Sequence, residues 1–246
     1  MRNNTKLVDT IIVTVLILIC GAIAWSIFFQ DEKTDSINST DQRYETQEDT
    51  PIDEYGDKRI GVMQGSLYED MVNERFPENE PSLFNNQPDM SAALSGNKID
   101  IFFLPELTAK AFVAADPTLT YLKESFAKLN YAFAFPKDPS SEELCRNVNS
   151  FLKEIRSNGE YDKMIDIWLG DDESKKVMDM SDLTGENGTL RFATTGTFEP
   201  FSYVKDGKCV GFEVDIAVRF CRKYGYDLDI SLMDFGAVIP GLTSLK

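Results

Sequence analysis

The stretch "YAFAFPKDPSSEELCRNVNSFLKEIRSNGEYDKMIDIWLG", residues 131–170, switches its apolar period once, and the switch decides the fold class. Tyr131 to Phe135 is an apolar, aromatic run of strand length, whereas Leu144, Val148, Phe151, Leu152 and Ile155 recur at helical spacing. Ser140, three residues before Glu143, predicts a capping box at the helix start. Asn158-Gly159 predicts its stop, and Tyr161, Met164, Ile165 and Trp168 share one face of a further helix. Upstream, "RIGVM" (59–63) predicts a strand that turns at Gly65-Ser66 into a helix carrying Leu67, Met71 and Val72. A helix over Met90 to Leu94, a buried strand "IDIFFL" (99–104) and a helix over 105–114 follow, with Pro105 suited to a first helical turn. Downstream, a strand opens at Thr189, and Phe212, Ile216 and Phe220 form the buried stripe of another helix, whose Glu213 and Asp215 favour its positive end. Short strands alternating with helices imply an α/β fold, a sheet covered by helices.

Composition narrows the function classes. Among 246 residues, 42% are apolar, enough to bury a core, and 41 acidic against 25 basic residues give a formal charge of −16. Binding to nucleic acid or to anionic lipid needs clustered Lys and Arg, so both are excluded as partners. The absence of histidine removes His triads and His metal sites. Cys20, Cys145, Cys209 and Cys221 show no C-x-x-C spacing, so no metal and no cofactor is expected. A Cys209–Cys221 disulfide fits an oxidising compartment, and free buried thiols are the simpler reading.

"IIVTVLILICGAIAWSIFF" (11–29) is uncharged, follows Arg2 and Lys6, and predicts one N-terminal transmembrane helix with everything after Gln30 outside the cytoplasm. Ala22-Ile23-Ala24 offers a signal-cleavage pattern, but Trp25 to Phe29 continue the apolar run, which favours retention. Ile19 before Cys20 and apolar sequence after it do not suit a lipoprotein signal. The chain therefore divides into a membrane anchor (1–30), a solvated acidic linker (31–57), an α/β block (58–136), its closing helices (137–170), a second polar linker (171–187) and a further block from 188 to 246.

Several motifs occur together: "G-x-x-x-G-S" at 61–66, "N-G-x-Y-D-K-x-x-x-x-W-L-G" at 158–170, and "T-G-T-F-E-P-F" with "V-G-F-E-V-D-I-A" between 195 and 217. With these, the chain resembles bacterial family 3 extracellular solute-binding proteins, the amino-acid binding components of ABC importers. Residues 58–170 resemble the second lobe and closing helices, and residues 188–246 the opening of the first lobe. The resemblance implies type II periplasmic-binding-protein-like lobes in an unusual order. A tandem array and a permuted domain both fit that order, and the sequence reads as an N-terminal part of a longer chain. The implied partners are an amino acid or similar small polar solute, and an ABC permease possibly fused downstream. The implied protein is not an enzyme; a ligand-sensing ectodomain is the alternative.

The same resemblance assigns candidate ligand contacts. Gly65 allows close backbone approach, and Ser66 offers a hydroxyl at a helix N-terminus able to meet a carboxylate. Phe198 would cover the ligand, with Thr195 and Thr197 supplying hydroxyls beside it. Family members place an ammonium-binding aspartate where Pro105 stands here, which leaves the adjacent Glu106 as the candidate acid. Asp100 is read as a partner of local backbone donors.

Overall fold

The computed structural model describes residues 50–244 and, by backbone, residues 10–15. Two lobes of unequal size face each other. The smaller has a three-stranded parallel sheet of β2 (Ile60–Met63), β3 (Ser82–Phe84) and β4 (Ile101–Phe102), ordered β3-β2-β4. Helices α1 (Leu67–Arg75), α2 (Gln87–Ser95) and α3 (Glu106–Ala115) connect and cover it. Parallel strands need such crossovers, which explains the alternating texture of the sequence. Ile60, Val62, Val72, Phe76 and Phe103 form its core, and Phe126 stacks on Phe103 at 4.3 Å between centroids.

The larger lobe draws on separate parts of the chain. Its mixed sheet has the order β10-β6-β1-β5, from β1 (Thr10–Val15), β5 (Ala132–Ala134), β6 (Thr189–Thr194) and β10 (Asp227–Leu232). Beside it lies an antiparallel sheet of β7 (Thr197–Phe198), β8 (Ser202–Lys205) and β9 (Lys208–Val210). Helices α4 (Pro139–Ser157), α5 (Glu160–Trp168) and α6 (Phe212–Tyr224) close one continuous core with β6, while α7 (Phe235–Ser244) lays Val238 and Leu242 against Ala193. Leu144, Val148, Phe151 and Ile155 are buried along α4, with Leu152 half-buried beside them. Residues 137–170 and residues 189–244 thus share one hydrophobic interior.

The apolar run near the N-terminus is placed differently from expectation. Thr10–Val15 is a strand, parallel to β6 and antiparallel to β5, rather than the first turns of a membrane helix. All six residues are β-branched, which restricts χ1 and suits a pleated surface. A position between two strands also pairs backbone groups on both sides. Residues 16–29, the rest of the expected helix, lie outside the described residues. Among the described residues, no helix is long and apolar enough to cross a membrane.

Smaller differences have local causes. The strand expected over 99–104 pairs only at Ile101 and Phe102, because Asp100 turns back to accept the Arg59 N–H at 2.9 Å and its Nε–H at 3.0 Å. At the start of α4, Asp138 receives the Ser141 N–H at 3.1 Å, and the side chain of Ser140, the expected cap, lies outside the described residues. The acidic linker ends sooner than expected: Ile52 is buried and donates its N–H to Glu124, and Asp53 pairs with Arg75 at 2.8 Å. The second polar stretch is tied down as well. Arg222 takes both Asp182 carboxylate oxygens, at 2.6 and 2.8 Å, and Glu173 receives Lys176 and Lys205. Cys145, Cys209 and Cys221 are free thiols, and burial pushes those of Cys209 and Cys221 up to about 12.

One glycine anchors the start of α6. Gly211 has φ +131°, and a Cβ there would lie 2.2 Å from the Phe201 carbonyl oxygen. That carbonyl accepts the Glu213 N–H, and the Pro200 carbonyl accepts the Phe212 N–H, each at 3.0 Å, so the hairpin loop caps the helix. Gly211→Ala is expected to lose about 1–3 kcal/mol through backbone strain alone, read as a lower urea midpoint at unchanged slope.

Candidate functional site

A cleft of about 680 Å³, counting space open to solvent, lies between the lobes. Its small-lobe wall is built where β2 and β4 end. Met63 and Phe103 supply apolar floor, Tyr68 comes from the first turn of α1, and Ser66 and Gln87 bring polar atoms. The segment joining the lobes contributes Leu129 and Tyr131. The large-lobe wall carries Thr194, Thr195, Phe198 and Glu213. The C-terminal ends of parallel strands therefore face the cleft, the usual place for ligands in open α/β sheets.

Three aromatic side chains form one edge of this site. Tyr131 stacks on Phe201 with centroids 5.1 Å apart, and Phe201 on Phe198 at 5.0 Å. Phe198 is 5% exposed, and Phe201 supports it from behind. Burial raises the Tyr68 and Tyr131 phenols, so both stay protonated and able to donate through the ordinary pH range.

Polar groups are few and specific. Ser66 Oγ and Gln87 Oε1 are buried and have no hydrogen-bond partner. An unmet buried polar atom costs about 1–3 kcal/mol, so such atoms mark a place where another molecule can supply the partner. On the opposite wall, Thr194 Oγ1 donates to Glu213 Oε1 at 2.7 Å, and the Thr194 and Ser202 hydroxyls are 2.7 Å apart. Burial raises the Glu213 carboxyl above its usual range, and the two hydroxyls oppose that shift in part.

The structure sorts the expected ligand contacts. Ser66, Thr195 and Phe198 line the cleft. Gly65, at φ +71°, makes the turn but does not line it, because its N–H already donates to Glu69 Oε2 at 2.8 Å. Thr197 also lies off the cleft wall; its N–H turns toward Thr195 Oγ1 at 3.5 Å. Glu106 points away: it opens α3 and pairs with Lys110 one turn on, at 2.8 Å, with its side chain 72% exposed. Pro105, the residue before it, is the one that reaches the cleft.

Glu213, Gln87, Tyr68 and Tyr131 were not singled out from sequence. Glu213 reads locally as a helix-dipole residue, yet its hydroxyl partner Thr194 stands 19 positions earlier. The available signal was its place among Phe212, Val214 and Ile216, on a helix buried nearly all round. An acid in such company needs a hydrogen-bonded role.

Residues 190–246 match the profile of bacterial extracellular solute-binding proteins, family 3. Among curated relatives, the arginine-binding extracellular protein ArtP of Bacillus subtilis (strain 168) is 34% identical over 55 residues, 22% of this chain and 22% of that protein. A probable histidine-binding protein of Campylobacter jejuni is 30% identical over 110 residues, 44% of this chain and 42% of that one. The cyclohexadienyl dehydratase of Pseudomonas aeruginosa is 48% identical over 44 residues, 18% and 16% of the two chains. The chain thus spans less than half the length of each of these relatives. The residues matched by the profile include β6, the hairpin and α6, so the wall that carries Phe198 and Glu213 is where this chain is similar to the bacterial extracellular solute-binding proteins of family 3.

Proposed function

We propose that this protein captures a small polar solute, an amino acid in the first instance, in the cleft between its lobes. The observation that carries the reading is a pair of buried polar atoms without protein partners, in a cleft lined also by Tyr131, Phe198 and the buried acid Glu213. The names of the arginine- and histidine-binding relatives support the choice of ligand class. Closure of the lobes over the solute would complete its burial, the hinge mode of ligand capture. Transfer to an ABC permease and a location outside the cytoplasm belong to the same proposal. Retention by a membrane helix over 11–29 does not, because Thr10–Val15 cannot serve in the sheet and in such a helix at once. Binding without turnover is proposed, the short match to a dehydratase notwithstanding.

Thermal unfolding of the full chain with arginine, histidine, phenylalanine and glutamine tests the reading. A ligand that binds only the folded state at 100 times its Kd adds about 2.7 kcal/mol, so at least one amino acid is expected to raise the Tm by several degrees. No shift with any polar or charged amino acid at millimolar concentration would end this proposal.

A further inference from the structure

We propose that the solute is an amino acid whose side chain is an aromatic ring bearing an N–H or O–H at its edge, and that Gln87 reads that donor. This rests on the solute-capture reading and adds the class of side chain. Five rings line the cleft: Tyr68 and Phe103 from the smaller lobe, Phe198 and Phe235 from the larger, and Tyr131 from the segment that joins them. Four of them are already held in stacks. Tyr68 lies on Phe103 with centroids 6.0 Å and planes 19° apart, and Phe103 rests on Phe126. Phe201 backs both Phe198 and Tyr131. A planar ring entering between such walls gains stacking and edge contacts that a flexible chain does not.

The acid among the lining residues, Glu213, receives the Thr194 hydroxyl, and burial favours its protonated form. A cationic side chain would therefore be buried with no fixed opposite charge, a cost that an uncharged ring does not meet. Gln87 supplies the polar end. It opens α2 on a residue 6% exposed, and its Oε1 has no partner. Across the cleft α2 meets β7, the strand of Phe198, so this acceptor lies toward the aromatic edge rather than at the turn before α1. An amide oxygen only accepts, so the atom it awaits carries a hydrogen. The phenol of tyrosine, the indole N–H of tryptophan and the N–H of neutral histidine each place one at the rim of a ring.

Kd values for the full chain, measured in matched pairs, test this. Tyrosine is set against phenylalanine, tryptophan against 3-benzothienylalanine, and histidine, at about pH 8 where it is neutral, against 2-thienylalanine. Arginine and glutamine stand for amino acids without a ring. One of the three donor-bearing amino acids is expected to bind tightest, and roughly tenfold to a hundredfold tighter than its partner without the donor. In Gln87→Met, which keeps the reach of the side chain and removes the acceptor, the same ratio is expected to fall to about threefold or less. The wild-type ratios test the ring and its donor even where the variant does not fold. Arginine or glutamine as the tightest ligand would overturn this proposal and leave solute capture standing. So would ring amino acids that bind equally well with and without the donor. A Gln87→Met variant that weakens both members of a pair alike would overturn it too, since Gln87 would then hold the end that all amino acids share. Silence from every amino acid would overturn both readings.

Discussion

Trp168→Ala is expected to cost about 3–5 kcal/mol, a large part of the 5–15 kcal/mol by which a domain is stable. Trp168 is 1% exposed and joins α5 to α6 across the core of the larger lobe. Its Nε1–H donates to Asp215 Oδ2 at 2.9 Å, and Arg219 Nε holds the other carboxylate oxygen at 2.8 Å. The alanine variant opens a cavity and also leaves one oxygen of a buried carboxylate without a donor. Trp168→Phe separates the two effects. It retains a six-membered ring but loses the N–H with part of the indole, for an expected cost of about 1–3 kcal/mol. Urea titrations of wild type and both variants give the ranking directly, and a Trp168→Phe variant as stable as wild type would show that the bond to Asp215 contributes nothing.

The second large effect is a pH dependence set by Glu213. Burial raises its folded-state pKa above the unfolded value near 4.5, so between the two the folded chain holds more protons than the unfolded one. By linkage, its contribution to stability is fully present below the unfolded pKa and is lost as pH rises through the folded pKa. Glu213→Gln keeps the shape and an acceptor for Thr194 but cannot ionise. The variant is expected to be more stable than wild type at neutral pH, with the difference shrinking as pH falls toward 4.5. Glu213→Leu instead leaves the Thr194 and Ser202 hydroxyls with only each other, an expected loss of about 1–3 kcal/mol relative to the Gln variant. A parallel pH course for wild type and Glu213→Gln would show that Glu213 is ionised in the fold. Asp100, which Arg59 holds down to about 2, acts with the opposite sign and lower on the scale, losing its contribution as pH falls from 3.8 toward 2. The two groups therefore do not mask each other.

Much of the fold was legible because α/β order is written in local periods. The stripe on α4 and the strand-turn-helix at 60–75 needed only neighbouring residues, and both elements stand at those places. The positions of Ser66, Thr195 and Phe198 at the cleft followed from motifs in which spacing and backbone turn go together. What escaped depends on residues distant in sequence. Glu106 was a plausible acid until Lys110 and the outward face of α3 claimed it. Gly65 looked free to bind an anion, and only the fold shows Glu69 curling back onto its amide. Glu213 carried no local mark of its hydroxyl partners. The run at 10–15 was ambiguous for a deeper reason: β-branched apolar residues satisfy a bilayer and an interior strand alike, and the choice lies with the partners available.

The shared interior of residues 137–170 and 189–244 also governs how the chain can be made. A ribosome delivers the apolar faces of α4 and α5 long before the residues that cover them, since Trp168 meets Asp215 across 47 positions and Glu154 meets Lys223 across 69. The smaller lobe has its core residues, from Ile52 to Phe126, in hand much earlier. Synthesis therefore passes through a stage in which one lobe can close while Leu144, Val148, Phe151 and Trp168 remain uncovered. That interval is when this protein most needs a chaperone to shield it.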